Sequence, residues 1–220
     1  MKTLKNDWFI GVIIFLPLAL IAGFWNRFPE QIPIHFNHNG EPNGYGHKSW
    51  ALLLFPAINI AIYFVFKALP YIDPAKQNYA LFFSKFRIIQ VALHTLLTFI
   101  FIIIALYSLG VVMNIEKIVI YAVLTLFLIL GNYMGNIRQN YFFGIRTPWT
   151  LSDQMVWTKT HRLSARLWVF SSLLMMILVA FLPHPHTVFI VYVLIIALVP
   201  TVYSYILFRK KEQLNNPDNL

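Results

Sequence analysis

Residues 88–115 read Ile-Ile-Gln-Val-Ala-Leu-His-Thr-Leu-Leu-Thr-Phe-Ile-Phe-Ile-Ile-Ile-Ala-Leu-Tyr-Ser-Leu-Gly-Val-Val-Met-Asn-Ile, without one charged residue. A hydrocarbon core about 30 Å thick needs roughly 20 such residues of helix. The run therefore crosses a bilayer with length to spare, and its end around Gly110–Ile115 reads as a turn. Five more uncharged runs flank it: Trp8–Trp25, Trp50–Phe66, Ile118–Ile137, Leu167–Pro183 and Thr187–Phe208. The expected fold is an all-α integral membrane protein with six transmembrane helices, multi-pass in the cell membrane. Lys2 and Lys5 precede the first run as in a signal peptide. That run is longer than a usual signal core, lacks a small-residue cleavage site and ends in Trp25, so it reads as an uncleaved helix.

Composition agrees. Of 220 residues, 59% are hydrophobic and 11% charged, against about 25% charged in soluble domains. The net charge of +9 does not mark a nucleic-acid binder, because the basic residues sit between apolar spans rather than on one soluble face. Cysteine is absent, which excludes disulfides, thiolate metal sites and thiol nucleophiles.

Six helices place both termini on one side, and basic residues choose the side. With the N-terminus cytoplasmic, the inner segments carry Lys2, Lys5, Lys76, Lys85, Arg87, Arg138, Arg146, Lys159, Arg162, Arg166, Arg209, Lys210 and Lys211. The outer segments carry Arg27, Lys48 and Lys117. N- and C-termini are thus expected inside, and the loop at 26–49 outside. The expected organisation is residues 1–69 (first helix, outer loop module 29–48, second helix), residues 70–208 (four helices with a cytoplasmic segment at 140–166), and a cytoplasmic tail at 209–220, disordered from Asn215. Pro17, Pro56 and Pro200 lie inside spans, where they serve packing or act as hinges.

In the outer loop, Gly40-Glu41-Pro42-Asn43-Gly44 is a turn signal. Ile32, Ile34 and Phe36 alternate with Pro33, His35 and Asn37, as in a short strand with one apolar face. A hairpin-like cap on the outer helix ends is expected, with His35, Phe36, Asn37 and Gly40 as contact residues. His35, His38, His47, His184 and His186 share this side, but their spacing matches no ligand motif, so no metal site is assigned.

Polar residues inside lipid are costly and should face the bundle interior. Arg87, Gln90, His94 and Thr98 recur at helical spacing in the third span. Asn59 lies in the second, and Asn132 and Asn136 in the fourth. They read either as interhelical hydrogen bonds or as a proton or ion path through His94, which would make the protein a small coupled transporter.

Between the fourth and fifth spans, residues 140–161 read Asn-Tyr-Phe-Phe-Gly-Ile-Arg-Thr-Pro-Trp-Thr-Leu-Ser-Asp-Gln-Met-Val-Trp-Thr-Lys-Thr-His. Gly144 admits unusual backbone angles and Pro148 holds Thr147 extended, so Gly144–Trp149 reads as a shaped turn. Thr150 and Asp153 then form a capping pattern. No Gly or Pro follows until after Leu182, and a continuous helix over 151–182 would measure about 48 Å. It would project from the membrane or bend along its inner surface. Trp157, His161, Ser164 and Trp168 share one face, Arg162 and Arg166 another. Interfacial anchoring and docking of a partner both fit, with Gly144, Arg146, Thr147, Pro148, Trp149, Thr150, Trp157 and His161 as the docking or switching residues. No catalytic residue is assigned: Asp153, His161, Thr150 and Ser152 lie on consecutive turns without a nucleophile elbow or metal motif. No cofactor is implied.

Asn140–Leu151, with Trp157 and Thr160-His161-Arg162 after it and Gly131-Asn132-Tyr133-Met134-Gly135 before it, resembles the signature of the SdpI family of bacterial immunity proteins. Ile32-Pro33-x-His35-Phe36-Asn37, with Gly40, Pro42, Gly44 and Lys48, resembles a module of unknown function that often precedes it. The resemblance implies a membrane protein that protects a producing cell from a secreted peptide toxin met on the outer side. It also implies a possible second role, holding a small winged-helix repressor at the inner face. The expected partners are thus the lipid bilayer, the toxin and the repressor, with no direct contact to nucleic acid.

Overall fold

The computed structural model of the protein describes residues 7–37 and 39–215. Lys2, Lys5, His38 and the end of the expected tail at 216–220 lie outside the described residues. The elements in chain order are α1 (Trp8–Phe24), β1 (Gln31–Phe36), β2 (Pro42–His47), α2 (Lys48–Ile72), α3 (Tyr79–Ser108), α4 (Ile115–Met134), α5 (Pro148–Ser152), α6 (Gln154–Phe181) and α7 (His186–Asn215). Six of these helices are long and apolar enough to cross a membrane. The turn expected after the third span falls between Ser108 and Ile115. Two helices overrun the C-terminal ends of their apolar runs, because helix continues into polar surroundings wherever its hydrogen bonds close. α2 continues through Pro70 to Ile72, and α7 continues past Phe208 to Asn215, so the expected tail begins as helix. α3 carries a kink at Phe82, where φ is −129° and ψ 17°. Pro17, Pro56 and Pro200 are all buried against neighbours.

The long helices form two sets. α1, α2 and α3 pack on one another, as do α4, α6 and α7; among the described residues α3 and α4 are the only long helices of different sets whose backbones come close. α4 and α6 approach most closely at Gly131, where an added Cβ would lie 2.8 Å from the Trp168 Cβ and 3.0 Å from the Val169 nitrogen. Each set has its own core. Ile21, Phe28, Ile32, Leu52 and Phe101 fill the first, and Ile120, Leu124, Met175, Val179, Tyr192 and Ile196 the second. A third cluster joins them at the end bearing the 140–161 segment: Phe66, Leu69, Tyr79, Phe82, Phe86, Ile89, Ile137 and Trp157.

β1 and β2 form an antiparallel hairpin between α1 and α2, which is the expected cap. Its turn is displaced from the expected position. Asn37 Oδ1 accepts from the backbone nitrogens of Asn39 (2.9 Å) and Glu41 (3.0 Å), which closes the chain at 37–41. Pro42–Gly44 is therefore already strand. A register shift between Pro33 and His35 breaks the alternation: Ile32 and Pro33 are both buried, while Ile34 turns outward. A bulge that puts two residues opposite one shifts the faces in this way.

Candidate functional site

The 140–161 segment is a folded clamp at one end of the helix bundle. It begins at Asn140, which is wholly buried. Its Oδ1 accepts from the nitrogens of Phe142 (2.9 Å) and Phe143 (2.7 Å), and its Nδ2 donates to the Arg138 carbonyl (2.8 Å). This one side chain bends the chain back so that Phe143 packs on Phe66 and Phe86, with ring centroids 5.4 and 5.2 Å apart.

Gly144 has φ +96°, and a Cβ there would run into His161 Nε2. That same Nε2 accepts the Ile145 N–H at 3.0 Å, while the His161 Nδ1–H donates to the Trp157 carbonyl at 2.8 Å. The two bonds fix a neutral imidazole protonated on Nδ1. The His161 ring lies on Trp157, centroids 4.0 Å apart and planes 20° from parallel. Trp157 Nε1 in turn donates to the Ile137 carbonyl at 2.9 Å, just beyond α4. The glycine, the histidine and the tryptophan thus form one stack from loop to α6 to the end of α4.

Thr147 caps α5. Its Oγ1 accepts the Thr150 N–H at 3.2 Å, and the Thr150 Oγ1 accepts the Thr147 N–H at 2.9 Å, a reciprocal capping box with Pro148 in the first turn. The Ser204 hydroxyl of α7 donates to the Thr201 carbonyl (2.7 Å) and lies within hydrogen-bond distance, 3.0 Å, of the Thr147 hydroxyl. Trp149 packs on Tyr205 of α7, centroids 5.0 Å apart. Asp153 then breaks the helix (φ −140°, ψ 120°) and caps α6, accepting from the nitrogens of Met155 (2.8 Å) and Val156 (2.9 Å). The expected cap had Thr150 opening the helix with Asp153 in its first turn. The structure instead uses two caps for two helices, because Pro148 starts a helix one turn earlier. The long continuous helix expected over 151–182 is accordingly divided at Asp153. The Asp153 carboxylate also pairs with Lys211 of α7, and the Lys211 ammonium holds its pKa below the ordinary carboxylate value.

Of the eight residues expected to dock or switch, Thr147, Thr150, Trp157 and His161 are buried and Gly144 is half-buried. Arg146 and Pro148 are exposed, with Trp149 half-exposed beside them. Arg146 folds back to donate to the Tyr141 carbonyl at 2.8 Å. The surface open to a partner is thus Arg146, Pro148 and the edge of Trp149. Interfacial anchoring does not hold for Trp157, which is 1% exposed.

Asp73, Asn78 and Gln139 were not singled out by sequence. Asp73 is buried between α2 and α3, where it accepts from the Ala75 nitrogen (2.7 Å), the Tyr79 hydroxyl (3.0 Å) and the Tyr141 nitrogen (3.1 Å). Asn78 donates to the Gln139 carbonyl at 2.7 Å. These bonds tie the first helix set to the clamp. The readable signal was the Asp73-Pro74 pair, a turn-forming dipeptide. Gln139 Nε2 donates to the carbonyls of Thr150 (2.9 Å) and Leu151 (2.7 Å), closing the end of α5.

Gln90, His94 and Thr98 of the third span's polar stripe are buried as expected, while Arg87 at its clamp end is half-buried. His94 Nδ1 donates to Asn59 Oδ1 (2.6 Å), Asn59 Nδ2 to Thr98 Oγ1 (3.1 Å), and Thr98 Oγ1 to the Ile13 carbonyl (2.9 Å), joining α3, α2 and α1. Arg87 pairs with Asp7, and Tyr63 donates to Asp7 at 2.9 Å. Asn132 and Asn136, expected inside, are exposed. α4 ends at Met134, so both sit at the polar end of the helix.

At the other end, the hairpin contact residues divide in role. His35 Nδ1 meets Asn43 Oδ1 at 2.5 Å across the strands, Phe36 packs edge-on against Tyr107 of α3 (5.5 Å), and Asn37 shapes the turn. Gly40 abuts the Glu116 nitrogen, 3.2 Å from where its Cβ would stand. Glu116 accepts from the backbone nitrogen of His186 at 3.1 Å, linking α4 to α7 beneath the hairpin. Among the described residues no group of three or more His, Asp or Glu side chains could hold a metal.

Residues 136–204 match the SdpI/YfhL protein family, and residues 12–60 match a domain of unknown function, DUF1648. The chain is 29% identical over 200 residues to the immunity protein SdpI of Bacillus subtilis (strain 168), covering 90% of this chain and 94% of that protein. No solved structure matches it. The first match begins where α4 ends and takes in the whole clamp, and the relative aligns across both helix sets. The chain is therefore a multi-pass membrane protein that is similar to the SdpI family through its 136–204 segment and to an SdpI immunity protein along nearly its whole length.

Proposed function

We propose that this protein is a membrane immunity protein that protects its cell against a secreted peptide toxin. The observation that carries the reading is the alignment of nearly the whole chain with an immunity protein, including the segment that folds here as the clamp. We infer further that the clamp faces the cytoplasm, by the excess of basic residues at that end, and the hairpin faces the toxin.

A toxin signal received at the hairpin reaches the clamp through an element that both ends bias. α7 is placed for this. It starts beside Glu116 and the hairpin turn, and its far end holds Thr147, Trp149 and Asp153 through Ser204, Tyr205 and Lys211. α6 continues directly from the clamp, but the contacts of α7 at both ends favour the sixth span over the fifth. A cytoplasmic repressor of winged-helix type would meet Arg146, Pro148 and Trp149.

The test is survival of cells with and without the gene under challenge by a membrane-active peptide toxin. Arg146→Gln and Trp149→Ala are compared at equal membrane levels, with repressor recruitment read separately by co-sedimentation with membranes. Loss of protection on deletion is expected, with loss of recruitment in the two variants. Equal survival with and without the gene overturns the immunity reading. Unchanged recruitment overturns the inner docking role alone.

A further inference from the structure

The divide between the two helix sets is closed on one side and open on the other. On the closed side the clamp covers a cavity of about 240 Å³ lined by Leu93, Leu130, Phe143, Gly144 and Trp168 among others. On the open side α3 and α4 leave a groove of about 720 Å³. Leu126 lines both, so one side chain separates the groove from the space beneath the clamp.

We propose that this groove binds one acyl chain of a membrane phospholipid, with the phosphate held at Arg87. Its walls are largely apolar, with small side chains at Ala92 of α3 and Ala122 of α4. Two of its polar groups are spent inside the protein, the Thr125 hydroxyl on the Tyr121 carbonyl (2.8 Å) and the Tyr121 hydroxyl on the Met176 carbonyl (3.1 Å). Thr95 is the remaining hydroxyl of the lining, so the wall between Ile88 and Ile129 is chiefly apolar and suits an apolar occupant.

Length selects a lipid chain. From Arg87 to Phe99 the groove follows twelve residues of helix, about 18 Å at 1.5 Å per residue. One leaflet of hydrocarbon is about 15 Å deep. Charge selects the headgroup. Arg87 is the one charged residue lining the groove among those described, and it stands at the clamp end, level with Asp7 at the start of α1. Nη1 meets both Asp7 and Gln90 Oε1, which pins the guanidinium at the clamp end of the groove. A planar guanidinium is suited to a phosphodiester. A chain seated here touches both helix sets and bears on Leu126, so it would brace the divide directly beside the clamp.

The test uses the full-length protein in lipid nanodiscs doped with phosphatidylglycerol carrying a diazirine on one acyl chain, or with diacylglycerol bearing the same chain. Crosslinked peptides are mapped by mass spectrometry. Labelling of 91–99 and 118–129 is expected to exceed that of the lipid-facing surface of α7 at 190–202. Ala122→Phe fills the groove and should abolish the excess without lowering the unfolding temperature. Arg87→Gln should lower phospholipid labelling about fivefold, the factor for one basic residue at an anionic surface, and leave diacylglycerol labelling unchanged. Should this variant fold poorly, the ratio between the two probes on its folded fraction gives the same comparison. Equal labelling of groove and α7 means ordinary annular lipid and overturns the site, as does labelling that survives Ala122→Phe. Protein–protein crosslinks at these positions would assign the groove to a second copy.

Discussion

The clamp depends on one backbone conformation and one acceptor atom. Gly144 sits at φ +96° with His161 Nε2 where a Cβ would be. Gly144→Ala meets a left-handed backbone cost of about 1–2 kcal/mol and displaces an acceptor whose bond to Ile145 is worth about 0.5–1.5 kcal/mol. A total of about 1.5–3.5 kcal/mol is expected, read as a drop in the thermal unfolding midpoint followed by tryptophan fluorescence. Gly135→Ala is the control, since a Cβ there meets Ala165 Cβ at an ordinary 3.6 Å. Equal midpoints for the two variants would remove His161 from the argument. Part of this was legible in the sequence. Gly144 and Pro148 announce a non-helical turn by their own stereochemistry. The partner of that turn was not legible as such, because His161 follows sixteen residues later on a helix face shared with Trp157, where headgroup anchoring explains the same residues. Asn140 and Asp73 stayed hidden for a related reason. Each acts by accepting backbone N–H groups, and a sequence shows only the side chain, not the amides it will meet.

At the scale of elements, unbroken uncharged runs located all six long helices, because a bilayer forces each backbone group to bond within its own segment. The ends were less legible, since a cap competes with its neighbours. Thr147 and Asp153 each take a helix start, and Thr150 serves as a third-position partner rather than a cap. The corner at Asp153 carries a pH dependence. Its pKa is lowered, first by the Lys211 ammonium and then by the Val156 and Met155 amides. A depressed carboxylate contributes stability that is present above its unfolded pKa, near 4, and is lost as pH falls through the lower folded value. Thermal stability should therefore decline on acidification below about pH 4 more steeply in the native protein than in Asp153→Asn. Asparagine keeps the cap, being nearly as good at that position, and removes the titration. Parallel pH profiles for the two proteins would assign the acid sensitivity to other groups.

The whole molecule is two three-helix bundles held by a helix pair and a clamp, an arrangement no single run of sequence displays. Spans can be counted from hydropathy, but which helices pack together depends on side chains distant in the chain. Phe143 illustrates this. It reads as one aromatic in a signature, yet it enters between Phe66 of α2 and Phe86 of α3 and so binds the second bundle's clamp to the first bundle. Phe143→Ala should loosen the relation between bundles while sparing each bundle's own core, which does not contain it. The absence of cysteine makes the measurement clean, because introduced cysteine pairs carry the only spin labels. Labels on α1 and α7 should give a broader distance distribution in the variant than in the native background. Labels on α1 and α2, or on α6 and α7, should give the same distribution in both. Broadening in all three pairs would mean that Phe143 supports the fold as a whole, and the division into two bundles would have no mechanical meaning.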